Sequence, residues 1–185
     1  PIRSELAITA AASIANSIQQ MGQQVGLVTN GRDAVDRIRK EGWDPEQQNR
    51  QAARQAVTMH EQSDRLQPLI VETRRDPEQF LRIRETLARV ELTDGLTLAE
   101  LAGETTSQIP RDATVIAIIP RVDVETILVL ESLKRRGFAV LAILNIHDEN
   151  AFADAAAALL VHRIDALHLA EEDSIRTICQ QYALR

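Results

Sequence analysis

The sequence predicts an α/β fold: a doubly wound, mostly parallel sheet with helices on both faces and one antiparallel edge strand. The second half of the chain carries the main signal. Continuous apolar runs alternate there with helical stretches, and such runs are typical of parallel strands buried on both faces. The chain has 185 residues, of which 44% are hydrophobic and 3% aromatic, so aliphatic side chains can build one core without disulfides.

The chain begins with a helix and a short strand. Apolar residues recur every four positions over residues 6–21, which predicts an amphipathic helix that Ser4 starts and Gly22 stops. A strand over residues 25–29 follows, and the dipeptide Asn30-Gly31 after it is a turn signal.

Residues 32–67 differ from the rest of the chain, because they are rich in Gln and Arg and poor in branched aliphatic residues. This composition predicts a polar, partly helical insertion outside the sheet. A strand over residues 68–72 follows, and its leading Pro68 favours the edge of a sheet. The Asp-Pro-Glu-Gln sequence at 76–79 opens another helix, and residues 97–100 form a capping box that starts a further short one.

The second half alternates strands with helices and contains no internal repeat. The predicted order is a strand over 113–119, a helix over 124–136 ended by Gly137, a strand over 138–146, a helix from the cap Asp148 to Val161, a strand over 166–169 and a last helix ending near Tyr182.

Composition excludes several classes of function. The net charge of −6 argues against a protein that binds nucleic-acid phosphates in general, and the scarcity of aromatic residues argues against stacking on single strands. The single cysteine, Cys179, excludes an internal disulfide and a Cys-rich zinc site, and its apolar neighbours predict a small buried side chain. No apolar run approaches the roughly 20 residues that span a membrane, so we expect no direct membrane insertion.

Several segments, taken in order, resemble one protein family. They are the small-residue helix and Val-Gly-Leu strand within 5–31, the Pro-Glu-Gln-Phe-Leu helix at 77–87, the Gly-x-Thr-Leu-Ala-Glu-Leu stretch at 95–101 and the Arg-Arg-Gly-Phe-Ala-Val turn within 135–144. The chain therefore resembles a von Willebrand factor A-like domain, and more narrowly the bacterial proteins of domain-of-unknown-function family fifty-eight. The resemblance covers nearly the whole chain except residues 32–67.

The resemblance implies a doubly wound sheet with strand order 3-2-1-4-5-6, whose central strand 1 ends in Asp-x-Ser-x-Ser. No such motif occurs in this sequence, so we expect residues 1–185 to form a single domain of this type that lacks its first strand. In the family order, residues 25–29 form strand 2, residues 68–72 the antiparallel edge strand 3 and residues 113–119 strand 4. We expect residues upstream of Pro1 to supply the strand between strands 2 and 4.

The resemblance also implies a metal site that uses a Thr of the Gly-x-Thr segment and an Asp after strand 4. Thr97 matches the first position, although a plain helix cap is the favoured interpretation of it. Pro120 and Arg121 stand where the family has Asp, and a guanidinium repels a cation. Asp123 follows too late and is predicted to cap the next helix. We therefore expect a degenerate site at Thr97 and Arg121 that holds no metal, and we expect no other cofactor.

Candidate binding residues lie where the predicted strands end, because ligands of open α/β sheets bind at the carboxyl ends of strands. Arg121 and Asp123 follow one strand, and His147 and Asp148 follow the next. Asn30 follows the first strand in the same way. Each of these residues also has a purely structural interpretation as a helix cap, a turn residue or an exposed side chain, and no phosphate loop or nucleophile elbow accompanies them.

These observations predict a non-catalytic domain that binds a protein partner. The resemblance implies an adaptor that acts with a MoxR-type AAA+ ATPase, because genes of the family often lie beside such ATPases. It also implies a cytoplasmic domain whose parent protein is anchored to the bacterial inner membrane. Two alternatives stay open: a metal-dependent ligand binder, if an Asp-x-Ser-x-Ser strand lies upstream, and a small α/β enzyme with its site around Arg121 and His147.

Overall fold

The computed structural model describes residues 2–35, 67–91 and 95–183. Most of the predicted polar insertion, residues 36–66, lies outside the described residues. The chain divides into two compact units. The unit formed by Pro1–Gln24 and Ile109–Arg185 is called the parallel unit below, after its strand pairing, and the unit formed by Val25–Gln108 is called the antiparallel unit.

Helices and strands are mixed along the whole chain. In order, the described elements are α1 (Ile2–Gln20), β1 (Val25–Thr29), β2 (Arg32–Asp33), β3 (Leu69–Arg74), α2 (Gln79–Arg89), β4 (Val90–Glu91), α3 (Leu98–Thr105) with a following 3-10 turn (Thr106–Gln108), β5 (Thr114–Ile119), α4 (Val124–Arg135), β6 (Ala139–Leu144), α5 (Glu149–Val161), β7 (Asp165–His168) and α6 (Glu172–Ala183).

The parallel unit contains a three-stranded parallel sheet in the order β5-β6-β7. Thr114 lies opposite Ala139 at one end, and Leu144 lies opposite His168 at the other. Helices α4 and α5 join the consecutive strands, as parallel pairing requires. The predicted α/β class and the predicted parallel pairing of these three strands are confirmed.

The core of the parallel unit is centred on β6. Ala142, Ile143 and Leu144 have no exposed surface, and Leu130 of α4 and Leu159 of α5 are buried as completely. Helix α4 packs on β6, α5 packs on β7, and α1 packs against α6. A central strand without polar side chains explains this arrangement, because both of its faces must be covered.

Glycines end two of the helices, as predicted. Gly22 after α1 and Gly137 after α4 have φ angles of 72° and 99°, a region that residues with a Cβ rarely adopt. The predicted helix start at Ser4 is wrong, because α1 already begins at Ile2 and Ser4 lies within its first turn.

The antiparallel unit contains two short ladders. Strand β1 pairs with β3, and a bulge lies between Val25 and Leu27. Gln79, at the start of α2, bridges the end of this ladder: its Nε2 donates to the carbonyls of Val25 at 2.8 Å and Glu72 at 2.7 Å. Gln79 is 1% exposed, and its Oε1 accepts no hydrogen bond from any residue that the structure describes.

Gly26 lies at the bulge, where the backbones of β1 and β3 approach closely. A Cβ on Gly26 would lie 2.6 Å from Oγ1 of Thr73 and 2.8 Å from the carbonyl oxygen of Val71. Both distances are shorter than a non-bonded contact allows. The position therefore requires glycine for reasons of space.

The second ladder corrects the predicted boundary of the polar insertion. Strand β2 pairs with β4, with Arg32 opposite Glu91, and Arg32 is only 4% exposed. Residues 32 and 33 therefore belong to a ladder and not to a solvated insertion. The ion pair between Nε of Arg89 and Oδ2 of Asp33, at 3.2 Å, also lies there.

The predicted start of the second helix is also corrected. Oδ1 of Asp76 accepts the backbone N–H of Glu78 at 2.9 Å, which holds residues 76–78 in a turn. Helix α2 therefore begins at Gln79, two residues after Pro77.

The finer prediction, one doubly wound sheet, stays a prediction. Hydrogen bonds join the described strands into three separate sheets: β1 with β3, β2 with β4, and β5 with β6 and β7. In the part of the chain that the structure describes, β1 and β5 are not paired with each other, and β5 pairs with β6 alone. The outer edge of β5 is therefore an unpaired strand edge among these residues.

Candidate functional site

Most of the predicted site residues lie at the carboxyl ends of the strands β5, β6 and β7 of the parallel sheet, which we call the carboxyl edge. Helices α4, α5 and α6 begin at this edge, and open α/β sheets bind their ligands there. Arg121, Asp123, His147 and Asp148, all predicted from the sequence, lie in the loops that follow β5 and β6.

Asp123 is the cap of α4, as predicted. Its Oδ1 accepts the backbone N–H of Thr126 at 2.8 Å and the Thr126 hydroxyl at 2.7 Å. These two hydrogen bonds lower the pKa of Asp123, with a smaller contribution from the charge of Arg121. The carboxylate is thus ionised and already used by the helix terminus.

Arg121 is the most exposed charged residue of this loop. Its side chain is 83% exposed, and its Nε lies 3.7 Å from Oδ2 of Asp123. An ion pair at that distance and exposure contributes little to stability. The guanidinium therefore keeps most of its donors available to a molecule that approaches from solvent.

His147 and Asp148 are neighbours with different roles: Asp148 caps a helix, and His147 does not. The Oδ1 of Asp148 accepts the backbone N–H of Ala151 at 2.7 Å, which starts α5. His147 is exposed, and no hydrogen bond of its side chain is seen within the described residues. The structural interpretation of Asp148 as a helix cap is thus the correct one.

Asn145 is a buried residue at this edge that sequence reasoning missed. It is 6% exposed, its backbone N–H donates to the carbonyl of Ile119 at 2.8 Å, and its Nδ2 donates to the carbonyl of Arg3 at 2.7 Å. Its Oδ1 accepts no hydrogen bond from the described part of the chain. A signal existed, because Asn145 is the first polar residue after the apolar run of β6.

Arg3 binds the backbone at the same end of the sheet, next to β7. Its guanidinium donates to the carbonyls of Ala170 at 2.6 Å and Leu169 at 2.9 Å, directly after β7. Together with the bond from Asn145 to the Arg3 carbonyl, these contacts fix the first turn of α1 to the ends of β6 and β7. No local pattern predicts this contact.

A stacked ring pair lies where β7 ends. The rings of Phe152 and His168 are 4.0 Å apart and inclined by 8°, and Nε2 of His168 lies 2.8 Å from the carbonyl of Ile146. A carbonyl accepts only, so the Nε2 nitrogen carries the proton and donates. The pair therefore packs α5 against the strand ends, and one hydrogen bond orients the imidazole.

Thr97 and Asn30, the two remaining candidates, belong to the antiparallel unit. Thr97 forms both halves of the predicted capping box: Glu100 donates its N–H to Oγ1 of Thr97 at 3.3 Å, and Oε2 of Glu100 accepts the N–H of Thr97 at 2.7 Å. The Thr97 hydroxyl also donates to Oε2 of Glu100 at 2.9 Å. Asn30 donates its Nδ2 to the carbonyl of Leu96 at 2.9 Å, which holds the turn after β1.

The groups at the strand ends are suited to hydrogen bonds and ion pairs with a partner. Thr126 is 7% exposed, and its hydroxyl donates to Asp123. Within residues 2–35, 67–91 and 95–183, no three His, Cys, Asp or Glu residues are close enough to hold a metal ion together. Cys179 is half-buried beside the buried residues Ile175 and Ile178, and no described helix has both the length and the apolar character needed to cross a membrane.

Comparison of the chain with family models, curated proteins and solved structures found no match.

Proposed function

We propose that this chain is a non-catalytic, protein-binding domain of the doubly wound, von Willebrand factor A-like type. In this proposal it acts as an adaptor for a MoxR-type AAA+ ATPase, from the cytoplasmic side of a bacterial protein anchored to the inner membrane. The resemblance of the sequence supports the family, and the parallel β5-β6-β7 sheet with helical connections agrees with the second half of such a fold.

The observation that carries the binding function is the exposure of Arg121. An 83% exposed guanidinium stands at the carboxyl end of β5, where the metal-binding members of the family have an acidic ligand. Arginine is favoured at protein interfaces, since its planar group forms paired hydrogen bonds with carboxylates. Val124, one residue past the cap Asp123, is 74% exposed and adds an apolar contact beside it.

The neighbouring carboxylates support a binding function over a catalytic one. Asp123 and Asp148 each use Oδ1 to cap a helix. The hydrogen bonds from Thr126 lower the pKa of Asp123, which makes this carboxylate a weaker general base. The exposed Arg121 and His147 therefore lie in loops that end at the capped starts of α4 and α5.

The proposal is tested by binding to a purified MoxR-type ATPase encoded beside the gene for this protein, measured by biolayer interferometry. We expect saturable binding by the whole chain, at least about tenfold weaker for Arg121→Glu, which is the usual effect of losing a central interface arginine. Arg136→Glu is the matched control, because Arg136 is also an exposed arginine of the same unit and follows the other end of α4. Absence of binding, or equal losses in both variants, would contradict the proposal.

A further inference from the structure

Two pairs of large apolar side chains are exposed on the parallel unit. The first pair is Val124 and Leu128, which lie one turn apart on α4 and are 74% and 54% exposed. Carboxylates stand on both sides of Val124, since Asp123 and Glu125 are both exposed, against the single positive charge of Arg121. We call Val124, Leu128, Asp123 and Glu125 the head patch.

The second pair is Leu160 and Val161 in the last turn of α5, which are 66% and 80% exposed. Its surroundings are basic. Nζ of Lys134 reaches over from α4 and donates to the carbonyls of His162 at 3.1 Å and Arg163 at 2.5 Å, and Arg163 itself is exposed. We call Leu160, Val161, Lys134 and Arg163 the tail patch.

Two carboxylates lie close to the tail patch: Glu131 of α4, which basic side chains face, and the exposed Asp165, two residues after Arg163. Oε2 of Glu131 is 3.6 Å from Nη2 of Arg135 and 3.8 Å from Nδ1 of His162. Lys134, Arg135 and Arg163 outnumber these two carboxylates, so the local charge of the tail is positive, whereas that of the head is negative. Opposite charges flank two apolar pairs of similar size.

The two patches lie toward opposite ends of the strands of the parallel sheet, which we call its carboxyl edge and its amino edge. Helix α4 begins after β5 ends, which places the head patch at the carboxyl edge. Helix α5 ends before β7 begins, which places the tail patch at the amino edge. Strand β6 has six residues and separates the two edges by about 20 Å. Within one copy all four apolar side chains stay exposed, so the two complementary patches can meet only between two copies of the chain.

We propose that this chain self-associates head to tail, with Val124 and Leu128 of one copy packing on Leu160 and Val161 of the next. The charges around the apolar pairs orient the contact. Because the two surfaces differ, the contact is heterologous and each added copy leaves one head and one tail open. The inference requires no partner protein and does not rest on the proposed adaptor function.

The size of the patches sets the strength of the contact. Two apolar side chains on each side cover much less than the roughly 800 Å² per partner of a stable complex. We therefore expect a reversible association with a dissociation constant on the order of 100 μM. Because exposed charges orient it, raising the salt concentration from about 0.05 to 0.5 M should weaken it at least about threefold.

The heterologous geometry allows a complementation test by sedimentation of the whole chain at about 0.5 mM. A head variant, Val124→Ser with Leu128→Ser, and a tail variant, Leu160→Ser with Val161→Ser, should each sediment as a monomer where the unaltered chain associates. An equal mixture of the two should form a one-to-one dimer and stop there, because only one intact head and one intact tail remain.

The control is Leu81→Ser, since Leu81 is 42% exposed and belongs to neither patch, and this variant should associate like the unaltered chain. Circular dichroism checks that every variant keeps its helical content. A monomeric unaltered chain, association of either patch variant alone, or a mixture that stays monomeric would each overturn the proposal.

Discussion

The parallel and antiparallel units satisfy their backbone groups in different ways. In the parallel unit β5 and β6 pair along their whole length, and the core consists of aliphatic side chains such as Ile143 and Leu144. In the antiparallel unit the β1-β3 ladder is bulged, and a side-chain amide, that of Gln79, takes over two strand carbonyls. Where the strands pair regularly, side chains such as Arg3 and Asn145 donate only to carbonyls outside the ladder, whereas the interrupted β1-β3 ladder has a buried amide at its end.

The difference shows what each unit depends on. Removal of an aliphatic group from the parallel unit leaves a cavity, and the free-energy cost grows with the volume lost. Removal of the Gln79 amide from the antiparallel unit leaves two carbonyls without donors. The free energy of unfolding then falls because these groups are buried and unsatisfied. Three pairs of variants test this distinction.

The largest effect is expected in the parallel unit. Leu144→Ala truncates a side chain with no exposed surface at the end of the central strand, so the free energy of unfolding should fall by about 3–4 kcal/mol. Leu128→Ala removes the same atoms from a 54% exposed position and should change it by less than about 0.5 kcal/mol at micromolar protein concentration. Urea unfolding followed by circular dichroism measures both, and similar losses would refute the assignment of the core.

An intermediate effect is expected at Gln79. Gln79→Met keeps the volume of the side chain but removes both hydrogen bonds to Val25 and Glu72, so unfolding should become easier by about 1–3 kcal/mol. Gln180→Met, at an exposed position of α6, is the matched control and should have almost no effect. If Gln79→Met were as stable as the unaltered chain, the amide would not hold the bulged ladder.

The smallest effects are expected at two glycines of the antiparallel unit, where substitution by Ala should change stability in opposite directions. Gly26→Ala places a Cβ 2.8 Å from the carbonyl oxygen of Val71, and the shift of the backbone should cost about 1–2 kcal/mol. Gly103→Ala meets no atom within 4 Å inside α3 and should stabilise the chain by about 0.5–1 kcal/mol. Thermal unfolding of the two variants should move in opposite directions, and a shift in the same direction would contradict the close approach at Gly26.

The regular part of the fold was predictable because its signals are local. The apolar runs of β5, β6 and β7 lie within one residue or two of their predicted bounds, and the predicted caps at Asp123, Asp148 and Thr97 all form. A cap depends on residues three positions apart, so the sequence contains both partners. The single doubly wound sheet depends on distant strand pairs, and this part stays a prediction.

The missed features depend on contacts between distant residues. From the sequence, Gln79 is expected to be a surface residue at the start of a helix. Its burial is explained by the hydrogen bond to Val25 at the bulge, 54 positions away. Strands β2 and β4 have two residues each, too few for any periodicity. At the candidate site, Arg121 and His147 were found because they directly follow apolar strands, whereas the role of Asn145 depends on Arg3, which is 142 residues away.

The clamp of Arg3 on Leu169 has a consequence for the order of events during synthesis. The two residues are 166 positions apart, and the antiparallel unit is encoded between the two segments of the parallel unit. At a translation rate of about 5–20 residues per second, α1 leaves the ribosome roughly 10–30 seconds before its binding site exists. The antiparallel unit can pair its strands during this interval, whereas the parallel unit can close only after translation has passed β7. The apolar face of α1 therefore stays uncovered on the nascent chain until β7 and α6 have been synthesised.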